Sequence, residues 1–376
     1  MEPERNADAG AETNTATDAE QPPLSFDSLA ALPLTIERVS TSRLSRDTSS
    51  GFTRVTTEIT LAGEGVEGIG EDVTYETDEH DELAAYGLPD LTGELTLESF
   101  SNRLADLDLF PTAPDREVFR NYRRWGLESA ALDLALRQSE TTLAAELGRE
   151  RDPVRFVTST RLGEPPTTDR LESLREQVPE IEFKLDPTTD WDESLIARFE
   201  DSATVGTETV RILDLKGQYE GTDVDAPADP DLYELVLESF PDALIEDPGL
   251  TDETEPLFED EAVRERVSWD APIESLADVE ALPWEPDWLN IKPSRFGSIA
   301  SVLETIAYCE DRGIRMYGGG QFELGVGRGH IQLLASLFYP DTPNDVAPGA
   351  YNDPDVGEGL PPSPLEPSAA SAGFRW

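Results

Sequence analysis

The sequence predicts an α/β chain, with a smaller α+β unit in front of a parallel β/α barrel. Three observations carry that expectation. At 376 residues the chain is long enough for one large domain and a smaller one. From Leu34 to Tyr75 apolar and polar residues alternate as in strands, and helical periodicity follows. Beyond Asp152-Pro153 the rhythm changes. Short β-rich runs alternate with helical stretches in seven units, the pattern of a closed parallel barrel rather than of an open sheet.

Taken in order, residues 1–32 are rich in Ala, Glu, Thr and Asp, with little to bury, and read as a disordered acidic tail. LTIERVSTSRL (34–44) and FTRVTTEITLAG (52–63) follow as strands, then GEGVEGIGEDVTY (63–75). The polar, Gly-containing stretch Ser42–Phe52 reads as a hairpin connection, long and mobile. Helical patterns near 95–110, at 115–138 and ending at Gly148 complete a first domain over 33–150. The barrel spans 151–352. Its strand runs are VRFVTSTR, EIEFKLDP, VRILDLKGQY, DALIEDPG, RVSWDAP, WLNIKPSRFG and IRMYGGGQFELG, and NDVAPGAYN (344–352) supplies the closing strand. Residues 353–376, rich in Pro and Ser, read as a loose tail.

Composition excludes several classes of function. The formal net charge is −50, spread along the chain rather than gathered at one end. Such a surface repels nucleic acid and anionic lipid, so neither is an expected partner, and a membrane location is not expected. It is what a protein in concentrated salt carries, where screening removes self-repulsion, and it points to a halophilic source and a cytoplasmic location. The single cysteine, Cys309, allows no internal disulfide and falls in an apolar helical pattern as a small buried side chain. No run approaches transmembrane length, and the N-terminus lacks a basic-plus-apolar signal pattern. A homo-oligomer is the expected assembly.

Only three of the 29 basic residues are lysines: Lys184, Lys216 and Lys292, each at the end of an apolar run. Arginine cannot give up its proton in a protein, whereas a buried lysine ammonium can be tuned toward neutrality. Survival by chance as ion-pair partners is the bland alternative, and the shared position at strand ends argues against it. In a parallel barrel the C-terminal strand ends carry the reactive groups. Those ends hold, in order, Lys184, Asp214 with Lys216, Glu246 with Asp247, Asp270, Lys292 and Glu323. One acidic strand end in so acidic a chain is most simply a solvated residue. Asp214, Glu246 and Asp270 on three successive strands, flanked by lysines, are a metal-ligand pattern, and carboxylate oxygens suit Mg²⁺, with Mn²⁺ as substitute.

Arg43, Arg46 and Arg54 cluster about the hairpin connection, and Arg161 and Arg295 follow strand ends. Singly each is an ordinary surface ion pair; together they favour a small anionic carboxylate substrate. The glycine run at 318–320 lacks the Gly-Lys-Ser/Thr ending of a phosphate loop. His80, in the acidic stretch TDEHDE, and His330, in RGHIQLLASLF, read as structural.

With these motifs the chain resembles the enolase superfamily, nearest its muconate-lactonising, o-succinylbenzoate-synthase and mandelate-racemase branches, over 33–352. The family's second-strand Lys-x-Lys stands here as Glu182-Phe183-Lys184, and its third-strand Asp-x-Asn as Asp214-Leu215-Lys216. Glu246-Asp247-Pro248 is intact, the fifth-strand Asp-Glu-Ser is reduced to Asp270-Ala271-Pro272, and Lys292 stands at the sixth strand. Gly318–Glu323 is similar to the seventh-strand Gly-rich segment, and Arg123–Leu136 to the helix that leads into the barrel. The resemblance implies an α+β capping domain followed by a modified (β/α)7β, TIM-like barrel. It implies Lys184 and Lys292 as an acid–base pair, Asp214, Glu246 and Asp270 as Mg²⁺ ligands, and Lys216, Arg295, Glu323, Arg43 and Arg46 as substrate contacts. The implied activity is that of a metal-dependent lyase or isomerase. It would take the α-proton from a carboxylate substrate through a metal-stabilised enolate, ending in dehydration, cycloisomerisation or epimerisation. With two histidines read as structural, the His-Asp dyad of the racemase and acid-sugar dehydratase branches has no counterpart, which leaves lysine–lysine chemistry. The competing class is a catalytically altered barrel that binds a carboxylate ligand or a partner. The departures at Glu182, Lys216 and Ala271 favour it; the retained carboxylates and lysines oppose it.

Overall fold

In the computed structural model residues 24–219, 221–222 and 224–376 are described. Of the expected acidic tail, residues 1–23 lie outside the described residues. Its last residues are ordered, contrary to the expectation: Asp27–Ala30 form a short helix (α1) whose Leu29 is fully buried.

The front unit holds two small antiparallel sheets. β1 (Pro33–Ile36) pairs with β5 (Gly93–Thr96), and β2 (Arg38–Asp47), β3 (Thr53–Gly63) and β4 (Val66–Asp72) form the second in that order. Helices α2 (Thr77–Tyr86), α3 (Leu97–Ala105), α4 (Val118–Gln138) and α5 (Leu143–Glu146) complete it. The long hairpin connection expected over Ser42–Phe52 is mostly strand. Ser42–Asp47 pair with Glu58–Thr53, which leaves a turn closed by the Thr48 N–H donating to the Phe52 carbonyl at 3.0 Å. β2 is an edge strand with neither face fully buried, so polar residues stand on both sides and leave no alternation to read.

α4 organises this unit. Every residue from Trp125 to Leu136 is buried, as a helix clamped between the cap sheet and the barrel requires. The close approach to β4 rests on two glycines. A Cβ on Gly70 would stand 2.0 Å from the Gly126 carbonyl oxygen, and one on Gly68 2.3 Å from that of Ala130. Arg123, fully buried on α4, is compensated by Asp72 at 2.8 Å and by the carbonyls of Leu109 and Glu79.

The second unit is a curled sheet of seven parallel strands, each hydrogen-bonded to the next in chain order. They are β6 (Val157–Thr160), β7 (Glu182–Leu185), β8 (Val210–Asp214), β9 (Leu244–Glu246), β10 (Val267–Trp269), β11 (Trp288–Ile291) and β12 (Arg315–Gly318). Between them run α6 (Asp169–Gln177), α7 (Glu193–Asp201), α8 (Pro230–Ser239), α9 (Glu261–Arg264), α10 (Leu276–Glu280), the single turn α11 (Pro293–Phe296) and α12 (Ile299–Arg312), with α13 (Val326–Phe338) last. Asn344 and Asp345 close the ring. The Val157 N–H donates to the Asn344 carbonyl and the Asp345 N–H to the Gly318 carbonyl, both at 2.8 Å. The closing strand expected over 344–352 is therefore a two-residue stub; Gly349–Asn352 turn into a 3-10 helix. The whole is a capping domain on a TIM-like barrel.

Residues 353–376, expected to be loose, pack instead. The Leu365 N–H donates to the Val154 carbonyl at 2.7 Å, and Phe374 is fully buried, stacked on His330 at 4.1 Å. Arg375 donates to Asp133 at 3.0 Å. A slot between α4 and α13 takes these side chains, and aperiodic burial of that kind leaves no pattern in the sequence.

The cap closes over the C-terminal mouth of the barrel. Glu71 of β4 accepts the N–H groups of Leu324 at 2.7 Å and Gly327 at 2.8 Å, so a cap carboxylate satisfies the N-terminus of α13. Among the described residues no helix is long and apolar enough to cross a membrane.

Candidate active site

Parallel pairing sets the site. Asp214 ends β8, Glu246 ends β9, and the two stand in register, so their carboxylates emerge side by side. Lys184 lies on the neighbouring β7, while Asp270 and Lys292 follow directly on β10 and β11. Above them, beneath the cap, is a cavity of about 420 Å³. Lys184, Lys216, Lys292 and Arg295 reach into its lining, and Phe52, Tyr75, Phe119, Tyr122, Tyr219 and Phe322 give it aromatic walls.

Two ion-pair systems meet there. In the first, Lys184 Nζ donates to Glu246 Oε1 at 2.5 Å and lies 3.1 Å from Asp214 Oδ2 and 3.6 Å from Asp345 Oδ2. Lys216 Nζ bonds Asp214 Oδ2, and Glu246 also accepts from the Tyr317 hydroxyl and, at 3.4 Å, from the Asn290 amide. In the second, centred on Asp270, Lys292 Nζ donates to Oδ2 at 2.6 Å, Arg295 Nε to Oδ1 at 3.1 Å and the Tyr219 hydroxyl to Oδ2 at 2.7 Å. β7 and β11 stand four strands apart in the ring, so Lys184 and Lys292 approach the cavity from opposite sides.

Burial and charge oppose each other throughout. Burial alone would lower the Lys184 ammonium, and the Glu246 and Asp214 carboxylates override it and raise it well above the ordinary lysine range. Burial likewise disfavours ionised Asp214, yet Lys216 and Lys184 hold it far below the ordinary carboxylate range. Asp270 is depressed in the same way by Arg295 and Lys292 against its burial. Burial raises Glu246, and the Asp214 and Asp270 charges add to that against the pull of Lys184.

Asp214, Glu246 and Asp247 each offer a carboxylate oxygen within 4.8 Å of the others. Asp270, the expected third carboxylate, stands outside this tight trio, paired instead with Lys292 at 2.6 Å and Arg295 at 3.1 Å. The Asp247 backbone is left-handed (φ 50°), which turns its oxygens to the N–H groups of Asp270 at 2.8 Å and Ala271 at 2.9 Å. Burial and the Asp270 and Asp214 charges push the Asp247 carboxyl up to about 7. Buried carboxylates with no His or Cys beside them are a hard donor set, which fits Mg²⁺ or Mn²⁺ and not zinc.

The remaining expected residues fall into two groups. Arg295 and Arg161 line the cavity, Arg161 paired with Asp186 at 3.3 Å. Arg43 and Arg46 do not reach it. They point outward from edge strand β2 to Asp81 at 3.3 Å and Asp353 at 2.6 Å. Glu323 is buried beside the cavity lining, accepting the Gln321 N–H at 2.8 Å. Arg54 is buried in the cap–barrel seam and donates to the carbonyls of Gln321 at 3.1 Å and Thr74 at 2.7 Å. His80 bridges Thr57 and the Thr74 carbonyl, and burial lowers it, as a neutral structural imidazole requires. Burial pushes the Cys309 thiol up to about 12. Asp345, Tyr219 and Tyr317 were not singled out from the sequence. Each falls within a strand run of the barrel, Tyr219 in VRILDLKGQY, Tyr317 in IRMYGGGQFELG and Asp345 in the closing stretch.

Sequence models of one family match nearly all of the described chain: the N-terminal domain of DUF8230, a domain of unknown function, over residues 27–146, and its C-terminal domain over 150–353. An o-succinylbenzoate synthase of Bacillus subtilis is 26% identical over 242 residues, which cover 61% of this chain and 61% of that protein's length. An unknown member of the enolase superfamily from Enterococcus faecalis V583 superposes with a TM-score of 0.59 at 20% identity, covering 85% of this chain and 88% of that one. A dipeptide epimerase from Methylococcus capsulatus complexed with Mg ion gives 0.60 at 21% identity, covering 83% and 89%. Its relatives and structural neighbours are enolase-superfamily proteins, whose fold it shares, and the chain itself belongs to the DUF8230 family.

Proposed function

We propose that the protein is a Mg²⁺-dependent lyase or isomerase that takes the α-proton from a small carboxylate substrate, with Lys184 and Lys292 as its acid–base pair. One observation carries this: two lysines four strands apart line one cavity, each resting on a buried carboxylate at a strand end. Asp214 and Glu246 would hold the ion, with either Asp247 or Asp270 as the third carboxylate. When bound, the ion supplies Lewis-acid stabilisation of the negative charge that develops on the substrate carboxylate.

The chain's own residues do the rest. Lys184 and Lys292 flank the space where the α-carbon would lie, so one removes the proton and the other returns one from the opposite side. Burial lowers the Lys184 ammonium and the Glu246 and Asp214 carboxylates raise it, so neutralising their charge would lower it again. Arg295, fixed by Asp270 and by the Tyr219 hydroxyl at 3.2 Å, keeps a positive charge at the cavity wall for an anionic substrate.

The experiment is exchange of α-hydrogen for solvent deuterium, followed by NMR over dipeptides, N-acyl amino acids and 2-hydroxy acids. Glu246→Gln should abolish both exchange and divalent binding. Asp247→Asn and Asp270→Asn, titrated separately, identify the third ligand by which one loses metal affinity. The second reading, a carboxylate-binding barrel without turnover, draws on the Lys216 ammonium that already occupies Asp214. Binding of acids from the panel with no exchange of any of them would favour it.

A further inference from the structure

We propose that Lys216 is a tethered cation that competes with the divalent ion for Asp214 and so sets the metal affinity of this chain. The inference rests on the metal-site reading above and adds a residue that opposes the ion.

Lys216 clasps Asp214 from both ends. Its backbone N–H donates to Asp214 Oδ1 at 3.2 Å, and its side chain curls back so that Nζ bonds Oδ2. That curl needs a left-handed backbone, φ 55°, which a residue with a side chain rarely adopts. A single residue thus engages both oxygens of the carboxylate most central to the site. Asp214 Oδ2 is further approached by Lys184 at 3.1 Å. A divalent ion that takes Oδ2 meets both ammoniums there.

Of the two, Lys216 is the one free to leave. Lys184 is also held by Glu246 at 2.5 Å and its side chain is 2% exposed, whereas the Lys216 side chain is 18% exposed and faces the cavity. A second resting place is already at hand. Asp186 Oδ1 lies 3.7 Å from Lys216 Nζ, forms no hydrogen bond of its own, and the Tyr219 ring is 5.2 Å away. Lys216 can therefore swing from Asp214 to Asp186 without losing its compensation. It acts as a positioning residue for Asp214 and as a lid on one ligand oxygen.

The test is calorimetric titration of the full chain with Mn²⁺ and with Mg²⁺ at fixed ionic strength, in wild type, Lys216→Gln and Lys216→Arg. The glutamine variant should bind at least tenfold more tightly than wild type, while the arginine variant, which keeps the charge, should stay within about threefold of it. Equal or weaker binding in Lys216→Gln overturns the inference and leaves the metal site standing. No divalent binding by any of the three up to millimolar concentration overturns the metal reading itself. Should Lys216→Gln fail to fold, ¹³Cε-lysine labelling of the wild type decides, because the chain holds only three lysines. The signal missing from Lys216→Arg is that of Lys216. It should move on saturation with Mg²⁺, and a static signal would overturn the competition.

Discussion

Replacing Lys292 by arginine separates charge from proton transfer at one atom. Lys292 is 6% exposed, and its ammonium lies 2.6 Å from Asp270 Oδ2. The slot around it is tight: a Cβ on Gly319 would stand 2.8 Å from Lys292 Cε, so backbone already lies along the lysine stem. Arginine keeps the positive charge, and Asp270 is not left as an unpaired buried carboxylate. Its wider fork overpacks the slot at a cost of about 1–3 kcal/mol, small beside a total stability of about 5–15 kcal/mol, so the variant should fold. Arginine cannot exchange a proton at any working pH. Loss of a general acid or base costs on the order of 10²- to 10⁴-fold in rate, or about 2.7–5.4 kcal/mol of barrier. The assay is the rate of α-hydrogen exchange in deuterated buffer, on whichever acid the wild type exchanges. Circular dichroism and Mn²⁺ calorimetry serve as controls for fold and metal. Lys292→Arg and Lys184→Arg should both fold, bind metal and lose exchange. Full exchange in both would refute the acid–base assignment and leave a barrel whose lysines only neutralise charge.

Three further outcomes follow from the fold and the charge. Phe374→Ala should destabilise the protein by about 3 kcal/mol, the low end for a buried phenylalanine because a terminal segment can relax, and a thermal midpoint equal to wild type would show the packed tail to be idle. Asp72 is buried, yet Arg123 overrides that burial and lowers its pKa below the unfolded value, so the pair contributes stability above about pH 4 that is lost as pH falls through the folded value. Acid-unfolding curves of wild type and Asp72→Asn should therefore converge at low pH, and curves that stay parallel would contradict the linkage. The charge of −50 should make the unfolding midpoint rise between dilute and molar salt, and a flat dependence would remove the basis for a saline source.

The sequence by itself determined the barrel and the company at its mouth. Each of the seven strands is a short apolar run, and parallel strands bring their C-terminal ends together, so Lys184, Asp214, Glu246, Asp270 and Lys292 had to meet once the topology was read. Only the tertiary structure decided which of them touch. That Asp247 stands close to Asp214 and Glu246 goes with its left-handed φ, to which no periodicity is sensitive. The outward course of Arg43 and Arg46 depends on β2 lying at a sheet edge, a property of the neighbours it lacks rather than of its own residues. Phe374 was unreadable for a related reason. Its partners, His330 and Trp125, lie on two different helices, and burial against distant elements carries no local pattern because it is settled by how those helices pack, not by the spacing of residues along the chain.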